Sequence, residues 1–121
     1  MTAPILGAAA IRLLPFWERA NLVRVRVFNR ATIRDYADAH ADARQPLRAW
    51  FADVEKATWS GPEDIKARYA SVSFVANDRV VFNIKGNEYR IVIAVKYQSF
   101  AVYILFIGTH AEYDKIDAAT I

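Results

Sequence analysis

Arg79-Val-Val-Phe-Asn-Ile-Lys-Gly-Asn-Glu-Tyr-Arg-Ile-Val-Ile-Ala-Val-Lys96 reads as two strands around a turn. Gly86-Asn87 supplies the reversal, where residues tolerant of positive φ are needed. With that turn as centre, Lys85 lies opposite Glu88, Asn83 opposite Arg90 and Val81 opposite Val92. On the other face Ile84 meets Tyr89, Phe82 meets Ile91 and Val80 meets Ile93. This side is uniformly apolar and is expected beneath helices. The second face carries Arg79, Asn83, Lys85, Glu88, Arg90 and Lys96, a half-polar surface expected to face away from the core.

Around this hairpin the chain divides into a helical and a strand-rich half. Residues 22–28 alternate as Leu-Val-Arg-Val-Arg-Val-Phe, a strand with Val23, Val25 and Val27 on one face. Asn29 is placed to cap a helix through about His40, with Ile33, Tyr36 and Ala37 as its apolar positions. Asp42 and Gln45 match a capping box for a second helix, in which Leu47, Trp50, Phe51 and Val54 form a buried stripe. Pro46 is tolerated there because it falls in the first turn. Trp59-Ser-Gly-Pro62 ends that helix, and the Ser60/Glu63 spacing opens a third through about Tyr69. Residues 72–75 are a short strand and 101–109 the last one, reached through a reversal at 98–100. Helices packed on one face of a mostly antiparallel sheet make an α+β fold.

The length, 121 residues, suits one domain. The absence of cysteine removes disulfides, thiolate metal sites and cysteine nucleophiles, and His40 and His110 have no zinc-site spacing. No metal or other cofactor is expected. The net charge of +3 permits an anionic partner without demanding one. Its distribution says more. From Arg79 to His110 the chain carries Arg79, Lys85, Arg90 and Lys96 against Glu88 alone, whereas Glu112, Asp114 and Asp117 follow against Lys115. No stretch reaches the ~18 apolar residues of a membrane span. Residues 1–21 lack a basic n-region, and Arg12 interrupts the apolar run, so they are read as a flexible extension and not a secretory signal. The domain is then 22–121, and the location cytoplasmic.

A half-covered sheet ordinarily leaves one solvated, charged face, which accounts for many of these cations without function. Arg90 stands apart. It sits in mid-strand among Tyr89, Ile91 and Val92, and arginine suits bidentate contact with phosphate. His110 ends an apolar strand beside Gly108 and near Tyr113, where it either satisfies a strand-end carbonyl or transfers protons. His40 reads as a helix C-terminal partner and nothing more. The face of His110 hangs on the 98–100 reversal. Three loop residues, or a bulge near Gly108, set it opposite Glu88 on the polar face, which is the expectation; two or four turn it towards Tyr89 and the core.

These segments carry a family resemblance. Asp42 to Trp50, then Trp59, Ser60, Pro62 and Asp64-Ile-Lys66, are similar to the helical half of HigB-type toxins of the RelE/ParE superfamily. Residues 79–90 resemble that family's hairpin, and Ile104-Leu-Phe-Ile-Gly-Thr-His-Ala-Glu-Tyr-Asp-Lys-Ile116 its C-terminal signature. The resemblance runs from about residue 22 to 121. It implies a RelE-like fold, metal-free cleavage of mRNA, commonly on translating ribosomes, and a helix-turn-helix, HigA-type antitoxin. Under that implication Arg90, with Lys85 or Lys96, stabilises charge on the phosphorane. His110 is base or acid, Tyr113 stacks or donates a proton, and Arg79, Lys96 and Asn83 hold RNA. Two other readings share the fold: a ParE-like topoisomerase inhibitor and a non-enzymatic RNA- or protein-binding module.

Overall fold

A computed structural model describes residue 13 and residues 25–121. The reading of 1–21 as an extension, and the first three positions of the 22–28 strand, lie outside the described residues apart from Leu13. The fold is α+β. Strand β1 (Arg26–Phe28) leads into helices α1 (Arg30–Ala39), α2 (Arg44–Glu55) and α3 (Pro62–Arg68). Strands β2 (Ser73–Val75), β3 (Arg79–Ile84), β4 (Tyr89–Lys96) and β5 (Ala101–Thr109) follow, then the single turn α4 (His110–Tyr113). Sheet order is β1-β5-β4-β3-β2, antiparallel except for the parallel β1–β5 pair. The chain thus leaves one sheet edge, crosses through the helices to the other edge, and meanders back to close on its first strand.

The helices bury the stripes their spacing demands: Ile33 and Ala37 from α1, Leu47, Trp50 and Val54 from α2, and Ile65 from α3. They pack on Val80, Phe82, Ile84, Ile91, Ile93, Val95, Val102 and Ile104. Phe82 is the hub, with Trp50, Trp59 and Tyr69 ring centroids 5.3, 6.2 and 5.0 Å away. Beside it Asp53 of α2 accepts from Arg68, at 3.0 Å, and from the Tyr69 hydroxyl, tying α2 to the end of α3.

Asn29 holds the expected N-cap position of α1 without a side-chain cap, and the other two expected caps are corrected. Asn29 takes a left-handed conformation, and its amide donates to Ile104 O at 3.1 Å, stitching the β1–α1 turn to β5. Asp42 falls in a 3-10 turn (Ala41–Ala43) before α2 starts, and its carboxylate turns to the sheet. Gly61 and not Ser60 precedes α3, with Pro62 inside its first turn; Ser60 N and Oγ both donate to Asp64, each at 2.9 Å. In each case a long-range or better-placed partner, an acceptor for Asn29 and Ser60 and a donor for Asp42, wins over the local bond.

The hairpin register is as the alternation demands, Asn83 opposite Arg90 and Ile84 opposite Tyr89. Positive φ falls at Lys85 and Gly86. The β4–β5 connection differs from the three-residue expectation. Residues 97–100 form a four-residue reversal through a 3-10 turn and a left-handed Phe100, so Lys96 pairs with Ala101. That register alone would turn His110 to the helix side. One extra residue in β5, Leu105, reverses the outcome: Ile93 pairs with Ile104 but Val92 with Phe106. The bulge lies three residues before Gly108, not beside it, and His110 N donates to Glu88 O at 3.1 Å. His110 therefore does stand opposite Glu88.

The second sheet face is also not simply open. The segment after α4 folds back across it, with Tyr113, Ile116 and Ala118 packing on Val81, Val92 and Phe106. Asn77 donates to Ala119 O at 2.8 Å and Arg79 to Ile121 O, holding this tail over β3 and β4. Apolar residues at Val81 and Val92 explain the cover, because a sheet buried on both faces needs both apolar.

Phe82→Ala is expected to lower stability by about 3–5 kcal/mol, the loss for an aromatic ring deep in a core. Urea unfolding followed by circular dichroism checks it; a midpoint within experimental error of the native one would refute the hub assignment.

Candidate active site

Arg90 sits near the hairpin end of β4, opposite Asn83 on one side and Gly108 on the other. Its guanidinium carbon lies 4.6 Å from the centroid of the Tyr113 ring, and Nη2 donates to Asn87 Oδ1 at 3.3 Å. The Nε–H is buried with no acceptor among the described residues. Arg79 Nε is likewise buried without a partner; what sets Arg90 apart is the aromatic ring beside its guanidinium. Gly108 makes the arrangement possible. A Cβ there would fall 2.5 Å from the Phe106 ring, so a side chain would displace that ring, which lies 6.5 Å from the Tyr113 ring centroid.

The turn α4 sets His110. Thr109 Oγ1 accepts from Glu112 N at 3.1 Å while Glu112 Oε1 accepts from Thr109 N at 3.0 Å, a reciprocal capping box. Thr109-His-Ala-Glu112 is a legible capping signature in the sequence, which the strand reading of His110 passed over. Thr109 holds the Glu112 carboxyl below the ordinary range, and the charge of His40 adds to the effect. His110 Nδ1 lies 3.1 Å from Asp114 Oδ2, and its side chain is part-exposed.

On the helix side of the same sheet end is a cluster the sequence reading missed. Tyr89 donates to both oxygens of Asp42 at 2.8 Å, and Lys85 reaches Asp42 at 3.1 Å and Glu88 at 3.3 Å. His40 stacks on Tyr36 at 3.9 Å, with Nδ1 3.1 Å from Tyr36 O, and meets Tyr89 edge-on. Burial first, then Glu112, Tyr89 and Asp42, push the Tyr36 phenol up to about 12. Its buried hydroxyl has no partner among the described residues. The i, i+4 spacing of Tyr36 and His40 was the available signal. Nothing local pointed to Asp42 and Tyr89, 47 residues apart.

The structure thus gathers Arg90, Asn83, Tyr113 and His110 around one end of the sheet. Lys85 is there too, but engaged by Asp42 and Glu88. Arg79 and Lys96 lie four and six β4 positions away from Arg90, roughly 13 and 20 Å at the usual strand rise. Arg79 is held by Asn77 O and Ile121 O, and Lys96 pairs with Asp78 at 3.0 Å.

The Tyr89 hydrogen bond, then Lys85, keeps the Asp42 carboxyl below its usual range. A depressed folded-state pKa contributes stability above the unfolded value, near 3.9, that is lost as pH falls through the folded one. Asp42→Asn should therefore be less stable than the native chain at pH 6, with the gap closing as pH drops below about 4. Urea midpoints of both proteins across that range test this; a gap that stays constant on acidification sinks it.

Residues 43–116 match a family profile described as HigB_toxin, the RelE-like toxic component of a toxin–antitoxin system. The chain is 32% identical over 96 residues to the mRNA interferase toxin HigB of Escherichia coli (strain K12), covering 78% of this chain and 92% of that one. The same identity and coverage relate it to the mRNA interferase HigB of Escherichia coli O157:H7 and of Shigella flexneri. A profile spanning most of the chain, on an α+β fold of the expected kind, leads to one assignment: the chain belongs to the HigB toxin family, the RelE-like toxic components of toxin–antitoxin systems.

Proposed function

We propose that this protein is a metal-independent endoribonuclease that cleaves mRNA on translating ribosomes in the cytoplasm. A helix-turn-helix antitoxin of the HigA type neutralises it. The carrying observation is Arg90: half-buried, flat against Tyr113, with an unmet Nε–H.

The ribose 2′-OH attacks the adjacent phosphate, and the bond to the 5′ oxygen breaks. A 2′,3′-cyclic phosphate and a 5′-hydroxyl result, one proton leaving the 2′ oxygen and one arriving at the 5′ oxygen. Arg90 offers a forked donor to the phosphorane oxygens, and its positive charge does the work a metal ion would otherwise do. His110, with Nδ1 occupied by Asp114, presents Nε2 for one of the two proton transfers. Tyr113 flanks the same guanidinium and is placed to stack on a base or to carry the other proton. Asn83, beside Arg90, adds a polar contact to RNA. Lys85 acts through Asp42 and Glu88, bracing the hairpin that carries Arg90.

Arg90→Ala should reduce mRNA cleavage by ~10²-fold or more, the loss expected for a transition-state charge donor. Stability should fall by on the order of 1 kcal/mol, more than for a free surface arginine, because the contact with Tyr113 is lost. Translating ribosomes incubated with each protein, with cut mRNA ends mapped, give the comparison. A folded Arg90→Ala protein that cuts at the native rate would remove Arg90 from the site.

Expression of the chain alone should arrest growth, and co-expression of a helix-turn-helix protein encoded beside it should restore growth. Strong, harmless expression of the folded chain would count against the toxin role.

A further inference from the structure

The C-terminal tail covers only part of the second sheet face. Cross-strand partners share a face, so the registers give its rows directly. From the site outward they are Asn83–Arg90–Gly108, Val81–Val92–Phe106, Arg79–Ala94–Tyr103–Phe28 and Lys96–Ala101–Arg26. Tyr113, Ile116 and Ala118 lie over Val81 and Val92, and Ile121 O binds Arg79. On the β5–β1 side of the same face Phe28 is 37% and Tyr103 36% exposed. Their rings are stacked, centroids 4.8 Å apart and planes 12° from parallel, and the Arg26 guanidinium lies 5.6 Å from the Phe28 centroid.

We infer that Arg26, Phe28 and Tyr103 form a stacking platform for unpaired bases of single-stranded RNA, a few nucleotides from the phosphate held at Arg90. This deepens the RNA-cleaving reading and rests on it. An aromatic pair across two strands also stabilises the sheet, but that role calls neither for two part-exposed rings nor for a cation beside them. Flat exposed aromatics with a cation alongside suit bases, because every base offers a π-face and every nucleotide a charge. Continuity with the site favours RNA over another protein. Two rows, roughly 13 Å at the usual strand rise, separate Arg90 from Tyr103, with the half-buried Phe106 ring between. Arg26 ends the track in the same row as Lys96, whose ammonium is held by Asp78 at 3.0 Å.

The probe is a short single-stranded RNA with 2′-O-methyl riboses throughout, which cannot be cut, and one 2-aminopurine as a fluorescent base. Native protein should quench the 2-aminopurine as it stacks. Phe28→Leu and Tyr103→Leu keep apolar bulk without a flat ring, and each should weaken binding by about ten-fold and relieve the quenching. Tyr103→Phe should behave as native, and matching urea midpoints would show that all the variants fold. With cleavable mRNA, the leucine variants should raise KM by a similar factor and leave kcat unchanged. Native-like binding and quenching in both leucine variants would overturn the platform. So would native protein that ignores the RNA while the same variants release the antitoxin or lose self-association, which would make the patch a protein interface. A native protein that binds and quenches but cuts no mRNA removes the nuclease reading and leaves the platform standing.

Discussion

A single extra residue in β5 decides which side chains share the sheet face of Arg90. Up to Ile104 the strand is in register with its helix-facing side under α1 and α2; past Leu105 the pairing is offset by one. A one-residue shift exchanges the faces of everything beyond it. Phe106 therefore joins the face of Val92, Gly108 comes beside Arg90, and His110 arrives opposite Glu88 instead of under the helices. The offset is tolerated because β5 is apolar at both parities, so neither register strands a polar side chain in the core. Gly108 then completes the geometry, leaving the space at Arg90 to Phe106 and Tyr113.

The positive charge along β3 and β4 is less available than its count suggests. Lys85 is shared between Asp42 and Glu88, Lys96 pairs with Asp78, and Arg79 is capped by backbone carbonyls. Exposed ion pairs of this kind add little stability, typically ~0.2–1 kcal/mol each. Their effect is selective. They neutralise cations that would hold RNA anywhere on the face and leave Arg90 as the arginine with a neutral neighbourhood of Asn83, Asn87 and Tyr113. Under the proposed function, an incoming phosphate would meet one forked donor on a rigid strand, which favours one register of the substrate over many.

The tail after α4 links fold and function. It satisfies the apolar side of a sheet that is buried on both faces in its middle, at Val81 and Val92. In doing so it brings Tyr113 to Arg90 and closes β3 off, so that the open part of the face runs along β5 and β1. Stability and accessibility are set by the same twelve or so residues, counted from His110 to Ile121.

Strict alternation and a glycine turn made the hairpin legible residue by residue, because each apolar position on 80–84 needed an apolar partner on 89–93. The helical stripes were legible for the same reason: a buried face has one period and tolerates no other. Arg90 stood out as a charge where the pattern had no need of one. Local sequence failed where a polar group had competing partners. Asn29, Asp42 and Ser60 each carry a capping signature, and each bonds elsewhere because packing supplied a better acceptor or donor. The sequence by itself determined the elements and the hairpin register, and it marked Arg90 as a cation the apolar pattern does not need. Tertiary structure alone decided the face of His110, the cover over β3 and β4, and the Tyr36–His40–Asp42–Tyr89 cluster. A strand apolar on both sides carries no register of its own, and contacts between distant residues leave no periodic mark.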